Sequence, residues 1–284
     1  MSRQRVPEGP PAVPAVQKLR IRYAKRGRLR FSSTRDFQRA LERAVRRAGV
    51  PMAYSSGFHP HPKISYANAA PTGTASEAEY VEIGVVERLD PEAVRVALDE
   101  ALPHGYDVLH VAEAEAGALA DSLEGSLWRV ELPGAARMEV QAAVERFLAL
   151  DEALVTRTFK KGPRTFDVRE AVLDVAVTGD DAGAGLAGGA PMNTQSTVEE
   201  GPVEVPCAIL QMVVRHTTPA VRPDDVLTAL RTAAALTPPS PPMVTRLAQG
   251  PLLETPVRVA DPLAADQEAV GVWSVPRDTR AEQS

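Results

Sequence analysis

The chain has 284 residues, enough for one large or two ordinary domains, with 44% hydrophobic and 24% charged residues, as in a globular protein. A single cysteine, Cys207 in the apolar run "VPCAILQMVV", excludes an internal disulfide framework and any cysteine-based zinc or iron–sulfur site, and reads as a buried, inert thiol. The formal net charge of −5 hides an asymmetry: Lys18 to Arg47 holds twelve Lys or Arg against Asp36 and Glu42, a local +10, which leaves −15 elsewhere. A basic block on an acidic chain points to a localised anion-binding surface.

In chain order, residues 1–17 read as a proline-rich disordered tail without the apolar core of a secretory signal, and no run reaches the roughly 20 apolar residues of a membrane span. A cytoplasmic protein without membrane contact is expected. "KLRIRYA" alternates, with Leu19, Ile21 and Tyr23 on one face and Lys18, Arg20 and Arg22 on the other, the pattern of a half-buried strand. "KRG" is a turn, and "RLRFS" extends or pairs that strand. Ser33 or Thr34 caps a helix with Asp36 in its first turn, running to Arg47 and stopping at Gly49 and Pro51. "MAYSS" and "KISYANA" are extended pieces, "EYVEIGVV" alternates, "DPEAVRVALDEAL" is a helix capped by Asp90, and "GYDVLHVAEA" is a strand. The order β-α-β-β-α-β is the ferredoxin-like pattern.

The second half repeats it. "SLWRVEL" is a strand, "ARMEVQAAVERFLAL" a helix, and "ALVTRTF" and "EAVLDVAV" form a hairpin around "KKGPR". "CAILQMVVRH", the helix "RPDDVLTALRTAA" and "MVTRLA" follow. The Gly-rich stretch 179–206 reads as a disordered loop, and 251–284 as a disordered tail. The fold expected is α+β: two tandem ferredoxin-like units, a basic one over 18–117 and a second over 126–250.

The first helix carries the clearest chemistry. Phe37, Ala40, Leu41, Ala44, Val45 and Ala48 make an apolar stripe, and Arg35, Arg39, Arg43, Arg46 and Arg47 fall on the opposite side, with Glu42 at its edge. Together with Arg20, Arg22 and the turn residues Lys25, Arg26 and Arg28, they suit bidentate phosphate contact; a solvated helix face is the plainer explanation. In "SSGFHPHPKIS", Ser55 to Ser65, His59 and His61 have the spacing of a metal pair. A transition metal needs more ligands, however, and Glu77, Glu79 or His104 could join only through the fold. His61 is a candidate general base without a visible nucleophile. The simpler reading is a rigid loop in which Gly57 permits the turn, Phe58 anchors it in the core, and Pro60 and Pro62 hold it extended while His61 and Lys63 face outward. "FKKGPRTFDVRE" offers Lys160, Lys161, Arg164 and Arg169 as further phosphate contacts. His216 reads as structural.

"RFSSTRDFQRALERAVRRAGVPMAYSSGFHPHPKISYANAAPTGTASEAEY", with "GALADSLEGSLWRVEL" and "KKGPRTFDVRE", resembles the radical SAM-linked protein family, a bacterial domain of unknown function found beside or fused behind a radical S-adenosylmethionine enzyme. The likeness covers about residues 18–250. The family typically has Ser-His before the helix Asp, where this chain has Ser33-Thr34, and it often has Asn or Ser at the position of His59, so His61 is the histidine that matches. The resemblance implies a separately encoded radical SAM enzyme as partner. One cysteine cannot supply the three thiolates of that enzyme's cluster. The reading is an accessory module without cofactor, holding structured RNA in a basic cleft built from the first strand and helix, the "GFHPHPK" loop and the "KKGPR" turn. The alternatives are a metal-independent RNA-processing enzyme with His61 as base, and a protein–protein adaptor.

Overall fold

The computed structural model describes residues 12–56, 58–114, 116–178, 206–263 and 272–276. The architecture is mixed α/β, and the chain divides into two compact units, Met1–Leu123 with Asp261–Val270, and Glu124–Ala260 with Gly271–Ser284. Among the described residues no helix is long and apolar enough to cross a membrane.

The first unit runs β1 (Gln17–Lys25), α1 (Thr34–Arg47), β2 (Ile64–Ala67), β3 (Ala75–Val85), α2 (Pro91–Ala101) and β4 (Val108–Glu113). Its strands lie in the order β4-β1-β3-β2, each pair antiparallel. Leu19, Ile21 and Tyr23 on β1 meet Phe37, Leu41 and Val45 on α1 and Val94 and Leu98 on α2, so one sheet face is closed by the two helices. The other face is covered too: Ala67, Ala78 and Tyr80 pack with Leu119, Leu123 and Leu263. β1 is therefore not half-buried. The expected strand "RLRFS" is instead a 3-10 turn, Gly27–Phe31. Gly27 sits at φ +54°, which ends the extended run, and Leu29 folds back onto the helix-side core. The N-terminal tail expected up to residue 17 is shorter, because Gln17 opens β1 and its buried amide bonds Leu89 and Glu113. Residues 1–11 lie outside the described residues.

The second unit runs β5 (Gly125–Pro133), α3 (Arg137–Leu148), β6 (Leu154–Phe159), β7 (Gly162–Asp167), β8 (Val172–Thr178), β9 (Cys207–Arg215), α4 (Pro223–Ala234) and β10 (Met243–Gly250). The sheet order is β10-β5-β9-β8, again antiparallel. The hairpin expected between "ALVTRTF" and "EAVLDVAV" is not formed. β6 pairs with β7 from Phe159↔Gly162 to Leu154↔Asp167, a two-stranded ribbon turning on Lys160-Lys161, while β8 pairs with β9. The reason lies in burial: Val172 and Val177 belong in the core with Leu210, Met212 and Phe147, whereas β7 is nearly all polar or exposed. The expected loop 179–206 lies outside the described residues up to 205, and Cys207 is half-buried at the start of β9.

The expected C-terminal tail is also partly folded. β11 (Leu252–Glu254), β12 (Val257–Ala260) and β13 (Val272–Trp273) form a small sheet. Val259 and Val275 pack on Leu127, Val213 and Ala248, closing the second face of the β10-β5-β9-β8 sheet. Residues 264–271 and 277–284 lie outside the described residues. Val259 is fully buried, so Val259→Ala is expected to destabilise the protein by about 2 kcal/mol in urea unfolding; a disordered tail would give no change.

Candidate nucleic-acid interface

α1 forms where its sequence dictates. Ser33 is the cap: its hydroxyl accepts the Asp36 N–H at 3.3 Å, and the Asp36 carboxylate accepts the Ser33 N–H at 2.9 Å and its hydroxyl at 2.7 Å, a reciprocal capping box. Phe37 stacks on Tyr23 at 4.0 Å between ring centroids and meets Tyr106 edge-on. Fixing that stripe inward sends Arg35, Arg39, Arg43, Arg46 and Arg47 outward, and all five are exposed. Two carboxylates share this face: Asp36, which is engaged by the Ser33 cap, and Glu42, which stands 3.8 Å from Arg46, while Arg47 reaches the Ala101 carbonyl at 3.4 Å. Exposed guanidiniums at this spacing can track successive phosphates.

The other basic residues of the N-terminal block do not join them. Arg20 and Arg22 do point to the sheet face away from the helices, but that face is covered. Arg20 is 6% exposed, bonded to Glu82 at 3.1 Å and the Gly117 carbonyl at 2.8 Å. Arg22 bonds the Glu77 carbonyl at 3.0 Å and Asp261 at 3.2 Å. Lys25 is buried against the Pro71 carbonyl. Arg26 is clamped by Glu77 and Asp107, and the Glu77 hydrogen bond and charge hold it firmly in its charged form. A guanidinium taken from water needs such partners, so Arg20 and Arg22 hold the unit together and do not stand with the exposed arginines of α1. Arg28 remains exposed.

The loop around the histidines differs from expectation at its anchor. Phe58 is 61% exposed and is not in the core. The loop is held by its backbone instead: Lys63 N–H donates to Ala53 O at 2.7 Å, Ser55 N–H to His61 O at 2.8 Å, and His61 N–H to the Ser55 hydroxyl at 3.0 Å. His59, Pro60, His61 and Lys63 are exposed and Pro62 half-buried, while Gly57 lies outside the described residues. Among the described residues, no group of three or more His, Cys, Asp or Glu stands close enough to hold a metal ion.

In the second unit the β6–β7 ribbon presents Lys160, Lys161 and Arg164 to solvent. Arg157 ties it down, paired with Asp225, bonded to the Ala220 carbonyl at 2.9 Å, and lying 4.7 Å over Phe159 and 5.1 Å over Phe166. Arg169 is not a surface cation: it is half-buried, bonds the Val172 carbonyl at 3.2 Å and lies over Phe147. His216 bonds Ser126 at 2.7 Å. Near the α1 N-terminus a cavity of about 20 Å³, bordered by Tyr23, Lys25, Ser33, Tyr66 and Glu79, has room for about one water. Burial pushes the Tyr66 hydroxyl up to about 12, with the charge of Glu42 adding to it. Sequence reasoning placed Phe58 in the core, because an apolar residue in a Pro-rich loop reads as an anchor, and read Tyr54 only as part of an extended piece; both rings are exposed.

The family described as "Uncharacterized protein conserved in bacteria (DUF2344)" matches residues 18–223, well over half of the chain. The chain belongs to that family of bacterial domains of unknown function. No curated protein matches it.

Arg20→Ala is expected to cost about 3 kcal/mol in denaturant unfolding, as a broken buried pair does, while Arg39→Ala on the exposed face stays within about 0.5 kcal/mol of wild type. A second expectation concerns pH. The Ser33 hydroxyl, then the Ser33 N–H, and more weakly the charge of Arg39, hold the Asp36 carboxyl below the usual carboxylate range. A depressed folded pKa means that the cap stabilises fully above the unfolded value and is lost as pH falls through the folded one. Asp36→Asn therefore melts lower than wild type at neutral pH, and the gap closes in acid; melting temperatures followed across pH measure this.

Proposed function

We propose that this protein is an RNA-binding accessory module that works with a separately encoded radical SAM enzyme, and that each of its two units is ferredoxin-like. The strand orders β4-β1-β3-β2 and β10-β5-β9-β8, each from antiparallel neighbours around two helices, support the fold reading. The observation that carries the RNA reading is the solvent face of α1, where five exposed arginines stand against two carboxylates, Asp36 bound in the cap and Glu42 at the edge. The exposed tip of the β6–β7 ribbon supports it, with Lys160, Lys161 and Arg164. Phosphate contacts of this kind supply affinity and orientation rather than sequence reading.

The test is binding of labelled transfer RNA and ribosomal RNA fragments over a range of salt. Wild type should lose affinity steeply as salt rises, and a variant with Arg39, Arg43, Arg46 and Arg47 all changed to Ala should bind more weakly with a shallower slope. Equal, salt-insensitive behaviour of both proteins would assign the arginine face to solvent or to an acidic protein.

A further inference from the structure

Tyr54, Phe58, His59 and His61 place four rings in one short loop, and none of the four is packed away. Tyr54 is 41% and Phe58 61% exposed, and both imidazoles face solvent. A single exposed phenylalanine is ordinary. This one is held out by construction. Ala53 donates to Gly84 O at 2.8 Å, Gly84 to Lys63 O at 2.9 Å, and Tyr54 bridges to Pro62, so the loop is pinned at its base to the end of β3. Pro60 and Pro62 remove much of the freedom by which Phe58 could fold back onto the core. Rings already fixed in place lose little entropy when a partner docks on them.

The surrounding charge selects the partner. From Arg43 to Ser76 the chain has no Asp or Glu, while it carries Arg43, Arg46, Arg47 and Lys63. The basic end of α1 lies at the same end of the unit as the loop, because the chain leaving Arg47 pairs Met52 with Val85, next to the Gly84 that anchors the loop. Rings beside exposed cations suit a polyanion that also offers flat π faces. An unpaired stretch of RNA has both; a duplex hides its base faces within its own stack.

We propose that Tyr54, Phe58, His59 and His61, with Lys63, form a stacking site for unpaired RNA bases. The proposal rests on the RNA-binding reading above and adds that the RNA must present unpaired nucleotides. Base stacking is the task of the rings, and phosphate contact that of Lys63 and the last turn of α1.

The experiment uses the full chain, a short fluorescein-labelled single-stranded RNA, the same sequence as a blunt duplex, and a version in which the central nucleotides are abasic. Phe58→Ala should weaken the single strand by roughly tenfold and leave the duplex within about twofold, while Phe58→Trp should restore binding, with its fluorescence quenched by the single strand but not by the abasic one. Phe58 is exposed, so an unchanged melting temperature will show that the alanine variant is folded. Single-strand binding unchanged in Phe58→Ala and Tyr54→Ala, but lost in the α1 variant, overturns the stacking site and leaves the RNA-binding reading standing. Wild type that binds no RNA at low salt overturns both. Polyglutamate bound as tightly as RNA, and released by Phe58→Ala, overturns the proposal in favour of a protein partner.

Discussion

A sheet covered on both faces cannot leave a cation on its strands unpaired. The first unit is organised by that constraint. The two helices close one side of β4-β1-β3-β2, and Leu119, Leu123 and Leu263 help to close the other. Arg20 lies under that second cover, and its bonds to Glu82 and to the Gly117 carbonyl tie β1 to β3 and to the segment that crosses over them. Arg22 does the same for the C-terminal segment through Asp261. These contacts compensate buried charge more than they add net stability, but they fix which chain segments lie on the sheet. They also sort the basic residues of the N-terminal block: those on β1 and the following turn are mostly consumed inside, and those on α1 are left for solvent and for partners.

The sorting was only half legible in the sequence. α1 was readable because period 3.6 separates an all-apolar face from an arginine face, and the capping residues mark its start. β1 was misleading for the opposite reason. Its strict alternation of Leu, Ile and Tyr with Lys and Arg is the signature of a strand with one wet face, yet the wet face is covered, and only Lys18 emerges. Burial there depends on Glu82, Asp261 and Gly117, which are far away in sequence, so no local pattern could reveal it.

The second unit shows the same limit at the level of pairing. "ALVTRTF", "KKGPRTFD" and "EAVLDVAV" follow one another with turn residues between each, so the hairpin partner is undetermined by spacing. Core membership decides it: Val172 and Val177 are needed against β9, and the Thr- and Arg-rich strands are left to pair with each other. The C-terminal strands were hidden because "LLETPVRVA" is short and interrupted by Thr-Pro, although its Val257 and Val259 alternate as a strand would. Phe58 failed in another way. An aromatic residue between glycine and prolines is a core anchor in most settings, and only the backbone bonds at the base of its loop relieve it of that duty.

The direct pairing of β8 with β9 has a consequence for how this chain tolerates change. Val177 faces Leu210 and Thr178 faces Ile209, so the two ends of the intervening segment are brought together by the sheet itself. The entropy of chain closure grows only with the logarithm of the length of a connection, and a doubling costs about 0.6 kcal/mol. A stretch of quite different size could therefore join the same two strands at little thermodynamic expense. That makes the junction a permissive port, where evolution can lengthen or shorten the chain, and where a reporter domain whose termini lie close together can be grafted.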